Sequence, residues 1–274
     1  MFTEEQISHE SQPLAPSGKA IVIGASSGIG RALAKELAAN GYEIGLASRR
    51  TALLEKLQKE IPSTTHIKKI DISEPSSAQK LLGELIAEMG GADIIVINSG
   101  ISVTNKNFRA APELETLAVN VAGFTAMTNV AVNYFLSKGA GHLVGISSIA
   151  GIRGSAVAPA YNASKAFVSN YLEGMRQKLN KTKISVTDIR PGFIDTPLIK
   201  NHKWAFWRAS PERAAEFICA AIKRKKKVAY VPKRWWFVAQ FMKILPEFLY
   251  NWGYNRIFGE ETGGQNGKQR QSEA

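Results

Sequence analysis

The fold class this sequence predicts is a doubly wound α/β sandwich. It has a parallel sheet of about seven strands with helices on both faces, followed by a C-terminal helical extension. Three observations predict it. Apolar segments of strand length alternate with amphipathic segments of helix length from residue 19 to residue 232. The strand segments are apolar at nearly every position, as in strands buried on both faces, instead of alternating apolar and polar. Strands joined by helices require right-handed crossovers, and such crossovers build parallel sheets.

The elements follow in order. "KAIVIG" (19–24) is a β-branched apolar run, followed by a glycine-rich turn and the amphipathic "GRALAKELAAN" (30–40), which Gly41 closes. "YEIGLAS" (42–48) reads as a strand, "TALLEKLQKEI" (51–61) as a helix and "HIKKIDI" (66–72) as a third strand. "PSSAQKLLGELIAEM" (75–89) is a third helix, with a proline at its start, where the missing N–H costs nothing. "ADIIVINS" (92–99) is a fourth strand. A long helix over 112–138, strand 142–147, helix 159–180, strand 184–190, helix 211–223 and strand 227–232 complete the alternation.

Composition excludes several function classes. One cysteine, Cys219, rules out an intrachain disulfide, and the four histidines are scattered with no metal-ligand spacing. The polar, acidic stretch 1–17 lacks the apolar core of a signal peptide, so a flexible extension on a cytoplasmic protein is expected. No run of 18 apolar residues occurs, which argues against a standard membrane-spanning helix. The net charge is +12, but eight basic residues and no acidic one lie between Lys223 and Lys243, which leaves +4 for everything else. The basicity is therefore local.

"GASSGIG" places Gly24, Gly28 and Gly30 after the first strand and at the opening of the first helix, with Ser26, Ser27 and Ile29 between them. In that context glycines let the backbone approach a pyrophosphate, and the helix N-terminus offers it N–H groups and a positive dipole end. About 20 residues on, an NAD-preferring site carries an acid for the ribose 2′-hydroxyl. Here Ser48 stands there, followed by Arg49 and Arg50. A guanidinium binds a 2′-phosphate that an acid would repel. NADP(H) is the cofactor expected, with Arg49 as the main 2′-phosphate ligand.

"YNASK" puts Tyr161 and Lys165 four apart on one helical face. Alone, that spacing describes countless ordinary helices. Together with "INSG" (97–100), "NVAG" (120–123), "SSIAG" (147–151) and "RPGFIDTP" (190–197), in this order, the chain resembles the short-chain dehydrogenase/reductase family in its compact, single-domain form. The resemblance covers about residues 18–232 and implies a Rossmann-like catalytic domain over that range. It also implies a site. Asn120, Ser148, Tyr161 and Lys165 are the catalytic set, Ser148 being preferred to Ser147 because it precedes Tyr161 by 13 residues. Asp71 and Ile72 would flank the adenine, Thr196 would touch the nicotinamide carboxamide, and Asn98, Gly100, Pro191, Gly192 and Ile194 would also bind the cofactor. Lys165 would hold the nicotinamide ribose, and Asn120 a water that connects Lys165 to solvent.

The chemistry asks for these residue types. Reducing a carbonyl requires a proton at its oxygen, and a free tyrosine, with pKa near 10, is a poor acid–base catalyst at neutral pH. A neighbouring ammonium is expected to lower that pKa, and Ser148 to polarise the oxygen by a hydrogen bond. Two departures from the family are visible. Ile23 replaces a threonine before the first glycine, and Ile97 and Ser99 replace an asparagine and an alanine. The expectation is a linked change in sheet packing with catalysis kept.

An NADPH-dependent carbonyl reductase is thus expected. A dehydrogenase running in the oxidative direction and a non-catalytic NADP(H)-binding regulator are the alternatives. The family also implies a homodimer or homotetramer through the helices at 112–138 and 159–180. Residues 233–258 carry nine aromatics among basic residues and are expected to form helices; 259–274 are expected to be disordered. For 223–258 a peripheral membrane contact is favoured over subunit or cleft packing, and nucleic acid is not expected. Trp235, Trp236, Phe237 and Phe241 are among the apolar side chains expected on that surface. Trp204, Phe206 and Trp207, after the Pro191–Gly192 segment, suggest an aromatic lid and a hydrophobic substrate, lipid- or steroid-like.

Overall fold

The computed structural model describes residues 18–105, 107–198 and 207–262. The expected N-terminal extension 1–17, Trp204 and Phe206 of the aromatic lid, and 263–274 lie outside the described residues.

Seven strands, β1 (Gly18–Ile23), β2 (Tyr42–Ser48), β3 (Thr65–Lys69), β4 (Ile94–Ile97), β5 (Ala140–Ile146), β6 (Lys183–Pro191) and β7 (Val228–Val231), form one parallel sheet. Their order is β3-β2-β1-β4-β5-β6-β7. The order reverses between β1 and β4, so the carboxyl ends of those two strands open a crevice for a ligand. Both faces of the sheet are core. Ala20 and Val22 of β1 pack with α1 (Gly28–Ala39), α2 (Thr51–Glu60) and α7 (Pro211–Lys223). Ile21 and Ile23 point the other way, against α3 (Pro75–Glu88), α5 (Phe124–Lys138) and α6 (Pro159–Lys178). Side chains alternate across a strand, so only an apolar run serves two cores at once.

β3 is shorter than the sequence suggests because Asp71 stops it. Its carboxylate accepts from the backbone N–H and hydroxyl of Ser73, at 3.0 and 2.7 Å, and turns the chain. The expected long helix over 112–138 is α4 (Ala110–Leu117) continued into α5 through a π-helical stretch, Ala118–Gly123. Gly123 lies there so close to the Ile72 carbonyl that an added Cβ would stand 2.3 Å from that oxygen. π-Helical turns recur at functional sites, and this one contains Asn120.

After β7 come α8 (Trp235–Ile244) and α9 (Glu247–Thr262). α9 runs beyond residue 258 into the stretch expected to be disordered. Trp235 is not on the surface. It is 1% exposed and lies against Gly192, where a Cβ would overlap its indole, with Phe193 edge-on at 5.1 Å. An apolar composition could not say which ring turns inward; the slot left by a glycine decides it.

Candidate active site

The glycine turn is built by close backbone approach. Gly24 has φ +92° and Gly28 +56°, both left-handed values that favour glycine. Asn98 donates from Nδ2 to the Gly24 carbonyl at 3.0 Å, tying β4's end to the turn. A Cβ on Gly30 would stand 2.2 Å from that same oxygen and 2.5 Å from Asn98 Nδ2. Ser27 caps α1 in extended geometry without a side-chain bond, and the first turn holds no acidic residue. The helix N-terminus therefore keeps its N–H groups and dipole for an anion. The Ser27 hydroxyl instead accepts from Arg50 Nη2 at 2.7 Å, and Ser26 accepts from the same guanidinium at 2.8 Å.

One cavity runs along this turn. Gly24, Ser26, Ser27, Ile29, Ser48, Arg49, Arg50, Asp71, Ile72, Asn98, Gly100 and Thr196 all line it. Twelve expected cofactor residues thus share one groove. Arg49 is half exposed and lies 3.9 Å from the Asp71 carboxylate. Gly28 and Gly30 shape the turn beneath, and Thr196 Cγ2 sits 3.0 Å from where a Gly28 Cβ would be. Pro191, Gly192 and Ile194 do not line the groove. Ile194 is buried, and its bridge to Ala209 uses backbone groups of Phe193, Asp195 and Ala209, which leaves its own uncommitted to that bridge. The missing Cβ atoms and the uncapped helix end fit a nicotinamide dinucleotide.

Gly100 lines the same groove. The point a Cβ would take there is 3.2 Å from Lys165 Nζ and 3.4 Å from Asn120 Oδ1. Asn120 clamps the loop after β4, accepting from Ile101 N at 2.9 Å and donating to Ile101 O at 2.8 Å and Ser164 Oγ at 2.9 Å. Both its amide hydrogens are committed, and Oδ1 keeps one lone pair. Ser164, beside Lys165 on α6, passes the tie on to the Tyr161 carbonyl at 2.7 Å.

Ser148 and Ser147 separate cleanly. Ser147 Oγ donates to the buried Asp188 carboxylate and to Ile189 O, and Asp188 is held in turn by Arg190 Nε at 2.7 Å. Ser148 opens a short 3-10 turn, Ile149–Ile152, and accepts from Ala150 N at 3.1 Å; its hydroxyl stands beside Tyr161. Gly151 allows that turn to lie against the α6 backbone at Lys165 and Ala166.

Burial raises the Tyr161 pKa above its ordinary 10, with the Ser148 hydroxyl pulling the other way. The expected depression by Lys165 is not found. Burial lowers Lys165 itself to about 8, against a weaker upward pull from Asp188; its Nζ donates to Ile146 O at 2.9 Å and lies 5.9 Å from the Tyr161 ring centre. Lys165 still carries its charge at neutral pH, but its Nζ bonds the Ile146 carbonyl and burial dominates at Tyr161. Tyr161 is therefore held as the phenol, the form a proton donor needs.

The two departures from the family meet in the sheet. Ile23 and Ile97 are register partners on β1 and β4, both fully buried in one core, where the family has polar side chains. Ser99 packs against Gly24.

The substrate-side loop is held by contacts that sequence reasoning missed. Between Ser148 and Tyr161, Arg153 donates to Leu245 O at 3.2 Å and stacks 4.6 Å from the Tyr250 ring centre. Tyr250 Oη donates to Gly154 O at 2.6 Å, and Tyr254 Oη bonds Ser155 Oγ at 3.0 Å and Val157 N at 3.2 Å. α9 thus straps the loop. Tyrosines at i and i+4 were the available signal. Trp207, of the expected lid, packs edge-on to Trp235 at 6.2 Å, and its carbonyl accepts from Arg234 at 2.7 Å. Among the described residues no group of side chains could hold a metal ion.

The family model of the short chain dehydrogenases matches residues 18–205. The chain belongs to the short-chain dehydrogenase/reductase family. This family member is 32% identical over 244 residues to an uncharacterized oxidoreductase of Myxococcus xanthus, covering 87% of this chain and 96% of that one. A dehydrogenase/reductase SDR family protein 7-like of Drosophila melanogaster is 29% identical over 86% of this chain and 79% of its own. Solved structures share the fold. A short-chain dehydrogenase/reductase of Burkholderia phymatum in complex with NAD superposes with TM-score 0.76 at 18% identity, over 84% of this chain and 94% of that one. Actinorhodin polyketide ketoreductase with NADPH gives 0.73 at 21% identity, over 85% and 100%. As a short-chain dehydrogenase/reductase, the protein is an oxidoreductase of a family that uses nicotinamide cofactors and small-molecule substrates.

Proposed function

We propose that this protein is an NADPH-dependent carbonyl reductase that converts a hydrophobic ketone or aldehyde, lipid- or steroid-like, to its alcohol. The observation that carries the reading is one groove lined by Arg49, Arg50 and Gly100, with Lys165 and Asn120 against Gly100 and with Ser148 beside Tyr161. Bound NADPH supplies the hydride to the carbonyl carbon. Tyr161 gives its phenolic proton to the carbonyl oxygen, and Ser148 donates a hydrogen bond to that oxygen as charge builds on it. Lys165 holds the nicotinamide ribose and restores the proton. Arg49 holds the 2′-phosphate, with Arg50 fastening the turn through Ser26 and Ser27.

Residues 18–232 are the catalytic unit in this reading, which assembles as a homodimer or homotetramer through α4, α5 and α6. Peripheral contact with a membrane through 223–258 belongs to the same reading. The test is NADPH consumption with a panel of ketones and aldehydes that includes long-chain and polycyclic carbonyls. Tyr161→Phe should lower turnover by roughly 10²–10⁴-fold, the usual worth of a positioned acid, with NADPH affinity little changed. Equal turnover in that variant would sink the mechanism, and a chain that binds NADPH but reduces nothing would favour a regulator.

A further inference from the structure

α8 and α9 each have a docked face and an open one. On α8, Trp235 and Ala239 are buried, while Phe237, Phe241 and Ile244, at i, i+4 and i+7, are 70, 59 and 79% exposed. On α9, Tyr250 and Tyr254 grip the loop, while Phe248 and Trp252, four apart, are 70 and 65% exposed. The buried faces are committed to the protein, so these rings cannot be covered by rotating either helix. A scattered exposed leucine is ordinary; a row of aromatic and aliphatic side chains on two successive helices marks a contact surface.

Cations frame this row. Two clefts open beside α8, and Trp236 lines both. Lys226 and Lys233 line one; Arg176, Lys225, Lys227 and Lys243 line the other. Arg176 belongs to α6 and the others to segments around β7 and α8, so the fold gathers charges that sequence order keeps apart. Glu173 is the one acid among the residues that line the two clefts.

We propose that this face docks on the surface of an anionic phospholipid bilayer. The open side of α8 and α9 enters the headgroup boundary, and the two basic clefts receive phosphate headgroups. This deepens the membrane reading above and does not depend on the reductase reading. An apolar strip flanked by cations is what an interfacial helix presents to anionic lipid. It suits a second copy of this chain poorly. A two-fold interface brings each patch against itself, so both copies' cations would be gathered into one contact with few acids to offset them. No helix among the described residues is long and apolar enough to cross the bilayer, so the contact is peripheral.

The test is flotation of the full chain with phosphatidylcholine vesicles, with and without phosphatidylglycerol. The protein should float with the anionic vesicles, less so as salt rises, and stay down with the neutral ones. Lys225→Ala/Lys227→Ala/Lys243→Ala should weaken binding roughly a hundredfold, at about fivefold per cation near the surface. Phe237→Ser/Phe241→Ser should abolish flotation at an unchanged melting temperature. Three results would overturn the proposal. The intact chain could remain in the bottom fraction with anionic vesicles. It could float equally with neutral ones. Or the Phe237→Ser/Phe241→Ser chain could float as before while a dimer becomes a monomer, which would assign the face to a second copy.

Discussion

Gly30→Ala and Gly83→Ala are one substitution in two helices, and the structure gives them opposite signs. Both glycines are helical with negative φ, so backbone strain does not separate them. At Gly83, on the exposed side of α3, a Cβ meets nothing within 4 Å. Alanine there should stabilise the fold by about 0.5–1 kcal/mol through helix propensity. At Gly30 the Cβ would stand 2.2 Å from the Gly24 carbonyl oxygen and 2.5 Å from Asn98 Nδ2. The turn and α1 must separate by roughly 0.8 Å merely to reach 3.0 Å, and neither neighbour is the free end of a flexible chain. Overpacking of this kind costs about 1–3 kcal/mol, and losing the Asn98 bond to Gly24 about 1 more. Net destabilisation of about 1–3.5 kcal/mol is expected after the alanine gain. The displaced groups are those that form the phosphate cradle, so NADPH affinity should fall at least tenfold as well. Urea unfolding and a fluorescence titration with NADPH read the two effects separately. Stability and affinity in Gly30→Ala within the error of wild type would refute both the close approach and the cradle.

Lys165 should limit stability at neutral pH. Its folded pKa of about 8 lies below the ordinary 10.5, so the stability it allows is full above pH 10.5 and is lost as pH falls toward 8. The gap is worth roughly 3 kcal/mol at about 1.4 per unit, offset by about 1 for the bond to Ile146 O. Lys165→Met should therefore be about 2 kcal/mol more stable at pH 7 while losing activity, and the gain should vanish above pH 10 in urea melts across pH. Arg49→Asp should weaken NADPH binding by about 10–100-fold, the worth of a charge-assisted bond, and NADH binding far less; an unchanged ratio of the two affinities would remove Arg49 from the site. Tyr250→Phe/Tyr254→Phe takes the α9 hydroxyls off Gly154, Ser155 and Val157, at about 1 kcal/mol per bond. Amide exchange over 153–158 should then quicken by roughly ten- to a hundredfold and KM should rise more than kcat falls; unchanged exchange would show that α9 does not hold the loop.

Much of the fold was legible because its signals are local. Each strand is a short apolar run, each helix an amphipathic one, and the glycine turn sits between them in a few residues. The catalytic candidates were legible for a different reason: several short motifs in a fixed order are jointly far more restrictive than a tyrosine and a lysine four apart. β3 was misjudged by three residues because Asp71 bonds its own turn, which apolar pattern does not register.

Residue order alone determined the parallel sheet, the glycine turn, the basic pair after β2 and the candidate set Ser148, Tyr161 and Lys165. Those follow from period, spacing and residue chemistry. Only the tertiary structure decided that Ser147 belongs to Asp188, that Trp235 fills the slot beside Gly192 while Trp236 faces out, and that α9 straps the loop before Tyr161. It also decided that Arg176 joins Lys227 and Lys243 around α8. These contacts join residues some 16 to 100 positions apart. What sets them is which atoms the packed sheet leaves room for, and that is a property of the assembled layers.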